Sequence, residues 1–224
     1  MNQALIDKFV DYCENEIDFN NNNFPNYRSL SVCIIDCVYS LRANYKSVTE
    51  LVQNYANKYL NGNTKDDQDT LSVLIARIEY ETPKKFAKDI LKNEQKSGGV
   101  LKSEICLKLA KYLKDIGIET IEDFIKFQNK SEELLEIIIR SVKGIGNAGT
   151  NYLFMLAGDT NRCKPDVHIH ECIKDACGKD IKKDNDCQDL FTEAVKLLNK
   201  NNSNKQLTVR DLDHAIWVKY SKVG

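Results

Sequence analysis

The chain has 224 residues, 42% hydrophobic and 29% charged, which suits one globular core or two small lobes. Its 32 basic and 33 acidic side chains leave a net charge of −1, which excludes a global basic field. Any contact with nucleic acid must then come from a local patch or from oriented backbone amides.

Only 3 Pro and 10 Gly are present, fewer turn residues than sandwiches and barrels use, so the prediction is an all-α protein. The start, MNQALIDKFVDYCENEIDF, lacks a basic-then-apolar signal pattern. No apolar run approaches a bilayer span, so the expectation is a cytoplasmic protein with no membrane partner.

The first predicted helix is QALIDKFVDYCENEI (3–17), with apolar residues at 5, 9, 10, 13 and 17 on one face. DFNNNNFPNYRS (18–29) breaks it and puts Phe24 and Tyr27 on a loop around Pro25. Such aromatics more often pack down as a lid than touch a ligand. SLSVCIIDCVYSLRANYKS (29–47) is apolar on several sides and reads as a central buried helix. Ser47, with Glu50 three residues on, has the pattern of a capping box for VTELVQNYANKYL (48–60).

After the loop NGNTKDDQ (61–68), DTLSVLIARIEYE (69–81) is helical, and TPKKFAKDILKN (82–93) carries Pro in its first turn. VLKSEICLKLAKYLKDIG (100–117) follows a Gly98-Gly99 break. TIEDFIKFQN (120–129) and SEELLEIIIRSV (131–142) read as separate short helices, and another starts at Asn147. VHIHECIKDACG (167–178), DCQDLFTEAVKLLNKN (186–201) and TVRDLDHAIWVKYSKV (208–223) complete a set of about ten helices, with no period-2 strand and no internal repeat.

The 8 cysteines contain no C-x-x-C pair. Cys33, Cys37 and Cys106 read as small core residues. Cys163, Cys172, Cys177 and Cys187 have irregular spacings with no close pair to anchor a metal, so no metal and no cofactor is expected.

Residues 141–170, SVKGIGNAGTNYLFMLAGDTNRCKPDVHIH, concentrate the chemistry. A helix runs into Lys143-Gly144-Ile145-Gly146, and a second helix opens at Asn147. The glycines allow φ > 0 and close approach of another backbone. The free amides and positive dipole end of the second helix are a seat for a phosphate. Ile145 is placed to tuck into the core. The same spacing serves equally for an ordinary helix–helix turn.

Asp166 follows Pro165 at the expected N-cap of a helix, where Asp is a favoured residue. A carboxylate held there can also stabilise positive charge on a sugar and orient or deprotonate a water. His168 and His170 lack the i, i+4 spacing of a metal pair and read as capping or phosphate-contacting residues.

VKGIGNAGTNYLFMLAG followed by KPDVHI resembles the helix-hairpin-helix, Gly/Pro-rich-loop-plus-Asp (HhH-GPD) superfamily of DNA glycosylases, which includes endonuclease III-like and alkyladenine glycosylases. SLSVCIIDCVYSLRANYKSVTELV, GGVLKSEICLKLAKYL and LDHAIWVKYS look like the family's early buried helix, the helix before the hairpin region and the closing helix. The resemblance implies an all-α, two-lobed fold with an inter-lobe cleft. A central helical barrel would span 29–155 and end in the helix-hairpin-helix at about 134–157. Residues 1–28 and 156–224 would form the second lobe.

Such enzymes flip a base out of double-stranded DNA, and the cost of unstacking favours damaged or modified bases. By resemblance Asp166 is the catalytic Asp. Gly144, Ile145 and Gly146 form the phosphate-binding hairpin, with Lys143, Asn147 and His168 as further DNA contacts. Arg42, in the turn SLRAN, stands where the family often places the residue that fills the gap left by the flipped base; a solvated surface Arg is the other reading.

Ala148 stands where bifunctional members carry a Schiff-base Lys, which implies a monofunctional enzyme with no Lys-dependent lyase step. Cys163 to Cys187 do not reproduce the family's iron–sulfur spacing, and Glu171 replaces a commonly basic residue. Tyr45, Tyr152, Trp217, Phe24 and Tyr27 are the aromatics expected to line a base pocket, with plain core packing as the alternative for each.

The expected activity is excision of a damaged or modified base by a monomer acting in base excision repair, leaving an abasic site. Two alternatives share the fold: a glycosylase against hypermodified foreign (phage) DNA, and a non-catalytic DNA- or lesion-binding module.

Overall fold

The computed structural model describes residues 2–20, 23–43, 45–201 and 206–221. Positions 21 and 22 of the expected Asn loop, position 44 of the SLRAN turn and the expected helix end at 222–223 lie outside those residues. The described elements are α1 (Gln3–Glu16), α2 (Leu30–Ser40), α3 (Tyr45–Tyr59), α4 (Leu71–Glu81), α5 (Pro83–Lys85), a π-helical segment (Phe86–Ile90), β1 (Lys96–Ser97) and β2 (Val100–Leu101). There follow α6 (Lys102–Asp115), α7 (Ile121–Ser141), α8 (Asn147–Leu156), α9 (Val167–Cys177), α10 (Asp184–Asn201) and α11 (Val209–Tyr220). The protein is therefore mostly helical. Among the described residues no helix is long and apolar enough to cross a membrane.

The chain divides into two compact units, Asn26–Gly158 and Met1–Pro25 with Asp159–Gly224. In the first, α2 is buried at every residue and packs on α3, α6 and α8. Ser29 caps it, its Oγ accepting the Ser31 and Val32 amides and donating to the Asp69 carbonyl at 2.7 Å. Tyr39, Tyr55, Phe86, Phe124 and Phe154 are fully buried, and each such side chain contributes about 1.5–3 kcal/mol. Tyr55 donates to Asp69 at 2.7 Å, and Arg77 pairs with the same carboxylate at 2.5 Å, which ties α3 to α4.

Two expectations need correction here. Ser47 does not cap α3: the chain re-enters helix at Tyr45, directly after the turn, so Ser47 and Glu50 lie within the helix. The two helices expected at 120–129 and 131–142 are both present: they run together as α7 but meet at a kink, where Ser131 leaves the helical conformation at φ −157° and ψ 59°. A strand pair also exists where none was expected. Gly98 (φ 58°) and Gly99 (φ 83°) close a tight turn that pairs Lys96 with Leu101 and Ser97 with Val100.

In the other unit α1 packs on α9 and α10, and α11 packs on the same two helices. The core holds Phe9, Cys13, Cys172, Leu190, Phe191, Leu212 and Ile216, with Phe9 and Phe191 ring centroids 5.4 Å apart. Thr208 and Asp211 form a reciprocal capping box at the start of α11. Gly178, at φ 72°, ends α9 in the left-handed conformation.

Candidate functional site

Between α7 and α8 the turn is built around Ile145. Its side chain is buried, as expected, and its amide donates to the Val142 carbonyl at 3.1 Å. Gly144 has φ 105°, and a Cβ there would lie 2.7 Å from Ile105 Cδ1 and 3.2 Å from the Ser97 carbonyl, so only glycine fits. Ser97 Oγ donates to the Gly144 carbonyl at 3.0 Å, and Gly98 lies against the Gly144 backbone. The β1–β2 ribbon thus buttresses the hairpin. The Gly98-Gly99 pair, read in sequence only as a break, was the signal for it.

Gly146 is extended (φ −108°) and is the N-cap of α8, yet it has no side chain with which to cap. The first-turn amides of α8 therefore have no side-chain acceptor from the cap. A Cβ at Gly146 would meet nothing within 4 Å, whereas one at Gly149 would come within 2.9 Å of Leu41 Cδ2. The helix start is open outside and tight against α2 inside. Lys143 and Asn147 are exposed, and Asn147 Oδ1 accepts from Arg140 at 3.0 Å.

In the same unit Arg42 is exposed and sits at φ 52°, a left-handed conformation that costs a non-glycine residue about 1 kcal/mol. Three of the aromatics expected in a base pocket converge on one carboxylate. Tyr27 and Tyr45 donate to Asp36 Oδ2 at 2.8 and 3.1 Å, and the Tyr152 hydroxyl lies 3.5 Å from that of Tyr45. Asp36 is fully buried on α2. Burial, and then the Asp36 charge, push the Tyr27 and Tyr45 phenols well up. Sequence reasoning missed Asp36, although a carboxylate inside an all-apolar helix has to be paired.

Phe24 and Trp217 belong to the other unit. The Phe24 ring meets His214 edge-on at 5.5 Å, His214 stacks on Trp217 at 5.8 Å, and the Arg210 guanidinium lies 4.9 Å above Phe24. Burial holds the His214 imidazole below its usual value. The five aromatics therefore fall into two groups: three around Asp36, two around His214.

Asp166 is the N-cap of α9. Its Oδ1 accepts the His168 and Ile169 amides at 3.0 and 3.4 Å. Its Oδ2 is 3.8 Å from Lys164 Nζ, and the side chain keeps 21% of its exposure. One oxygen is thus locked by the helix while the other faces a cation.

The loop before it is pegged from two helices. Gln188 of α10 accepts the Cys163 amide at 3.0 Å, and Asp213 of α11 accepts the Lys164 amide at 2.7 Å. Asp213 is buried, and its carboxyl is pushed well up by burial and then by the Asp166 charge, with the Lys164 amide and ammonium opposing. His168 has a buried Nδ1 with no hydrogen-bond partner among the described residues, whereas His170 Nδ1 lies 2.9 Å from Asp180. Among the described residues no group of three or more His, Cys, Asp or Glu is placed to hold a metal ion.

A family described as a domain of unknown function (DUF8548) matches residues 7–221. No curated protein and no solved structure matches the chain.

Proposed function

We propose that this chain, which belongs to the DUF8548 family, is a monofunctional DNA N-glycosylase of the two-lobed helix-hairpin-helix type. Its substrate is double-stranded DNA with a damaged or modified base. The observation that carries the reading is the state of Asp166: two amides fix Oδ1, while Oδ2 faces Lys164 and the side chain stays partly exposed. A carboxylate so oriented is pre-organised to work outside its own helix.

When the extruded nucleotide is in place, the bond between C1′ and the base nitrogen breaks and the base leaves with the electron pair. Asp166 stabilises the positive charge that develops on the sugar. It orients a water, accepts its proton, and the oxygen adds to C1′, leaving an abasic site. The uncapped α8 amides beyond Gly146 take a backbone phosphate, which positions the duplex without reading its sequence. Arg42, held in a left-handed turn at the surface, fills the gap in the stack. Ala148 gives no amine for a Schiff base, so the strand is left uncut.

The test is excision across a panel of modified-base duplexes, read as alkali-labile abasic sites. Asp166→Asn keeps a good N-cap and loses the charge, so it should stay folded and lose about 10²-fold or more in single-turnover rate. An Asp166→Asn protein that excises as fast as wild type defeats the mechanism.

The capping role itself favours a second reading, a DNA-binding module without chemistry. That reading expects tight binding to lesion duplexes and no abasic product from wild type.

A further inference from the structure

Asp166 is presented by a loop whose geometry is set from elsewhere. Two consecutive amides, Cys163 and Lys164, are taken by the side chains of Gln188 and Asp213. Gln188 also donates to the Asn161 carbonyl at 2.8 Å, and the Arg210 amide donates to the Thr160 carbonyl at 3.0 Å. The Asp166 amide then turns back onto the Lys164 carbonyl at 2.7 Å. The Asp213–Lys164 bond is therefore the last peg before Asp166. Beyond it the chain reaches the catalytic position in two residues, through Pro165, which fixes its own φ.

Asp213 is 5% exposed, and Lys164 lies between the two carboxylates in a bonding sense. Its amide goes to Asp213 and its ammonium lies toward Asp166. A buried carboxylate spent on one loop amide is costly unless the position of that amide matters.

We propose that Asp213 is a positioning residue for Asp166: it fixes the Lys164 amide, and through it the Pro165–Asp166 step that aims the carboxylate. The inference rests on the glycosylase reading for its catalytic consequence, but not for its structural one. The hydrogen bond needs an acceptor and no charge. Burial, and then the Asp166 charge, push the Asp213 carboxyl up, toward the neutral form. Asn is the conservative replacement, because it keeps an Oδ1 acceptor and sheds the ionisable group. Ala removes the acceptor and leaves a buried amide unpaired.

Both variants are compared with wild type in two measurements. In hydrogen–deuterium exchange, Asp213→Ala should speed exchange of the peptide covering 160–170 by about tenfold or more, with α2, α6 and α8 unchanged, while Asp213→Asn keeps wild-type protection. In single-turnover excision, Asp213→Ala should lose about tenfold or more in rate with little change in duplex affinity, and Asp213→Asn should restore the rate. The inference is overturned if Ala leaves exchange at 160–170 unchanged, if Ala loosens the whole chain evenly, or if Asn behaves like Ala. A wild type with no excision activity defeats the glycosylase reading alone, since exchange still reports whether Asp213 holds the loop.

Discussion

Gly144 and Gly146 stand two residues apart and meet different constraints. Gly144 is left-handed, and its would-be Cβ collides with Ile105 and the Ser97 carbonyl. Gly144→Ala should therefore cost about 2 kcal/mol or more, visible as a lower urea midpoint. Gly146 is extended with open space at its Cβ position, so Gly146→Ala should cost less than about 1 kcal/mol. A methyl group there still stands in front of the α8 amides. Duplex affinity should drop about tenfold if those amides seat a phosphate. A stable Gly146→Ala protein that binds duplex DNA like wild type removes the hairpin from the DNA contact. Asp166 has the same double character in one residue, because its cap and its ion pair with Lys164 use different oxygens.

At the scale of elements, α11 links the candidate site to the helical core of its unit. Its first turn carries the Arg210 amide that meets Thr160, and one turn on it carries Asp213. The Thr208–Asp211 box closes the start of that helix, with Thr208 Oγ1 2.7 Å from Asp211 Oδ2 and 3.1 Å from the Asp211 amide. Thr208→Ala should cost about 1 kcal/mol in urea unfolding and raise exchange at 159–166 together with the start of α11. Exchange raised evenly along α11 instead, with the loop untouched, would disconnect the box from the site.

The helices were legible in sequence because each carries its own apolar period, and the Asp166 cap because capping is local. Ser47 misled because Ser and Glu three apart also occur inside a first turn, and here the turn before α3 is too short to leave Ser47 outside. Asp36, Gln188 and Asp213 were not legible as site residues. The partners that place them at the site lie 9 residues away for Asp36 with Tyr27, 25 for Gln188 with Cys163 and 49 for Asp213 with Lys164, and no local period reports such pairings.

At the scale of the whole molecule, the eight cysteines give a reading that needs no substrate. None is in a disulfide, and every one except Cys177 is buried. Burial pushes the thiols of Cys13, Cys33, Cys106 and Cys163 up, and those of Cys172 and Cys187 up to about 12. Thiolate is the reactive form, so burial suppresses these thiols twice, by access and by protonation. Burial raises Cys177 as well, but Lys8 and Lys179 pull it back, and it alone is partly exposed. A disulfide-type thiol reagent on native protein at neutral pH should therefore modify Cys177 first, and the others at the rate at which their unit opens. Protein unfolded in denaturant without reductant should release all eight equivalents at once. Because the fold uses no disulfide, reductant should leave its urea midpoint unchanged. Rapid native labelling of Cys13 or Cys172 would show that the α1–α9 core is looser than its packing implies. A shortfall from eight in the unfolded chain would show a cross-link, and with it a different pairing of the helices that carry these thiols.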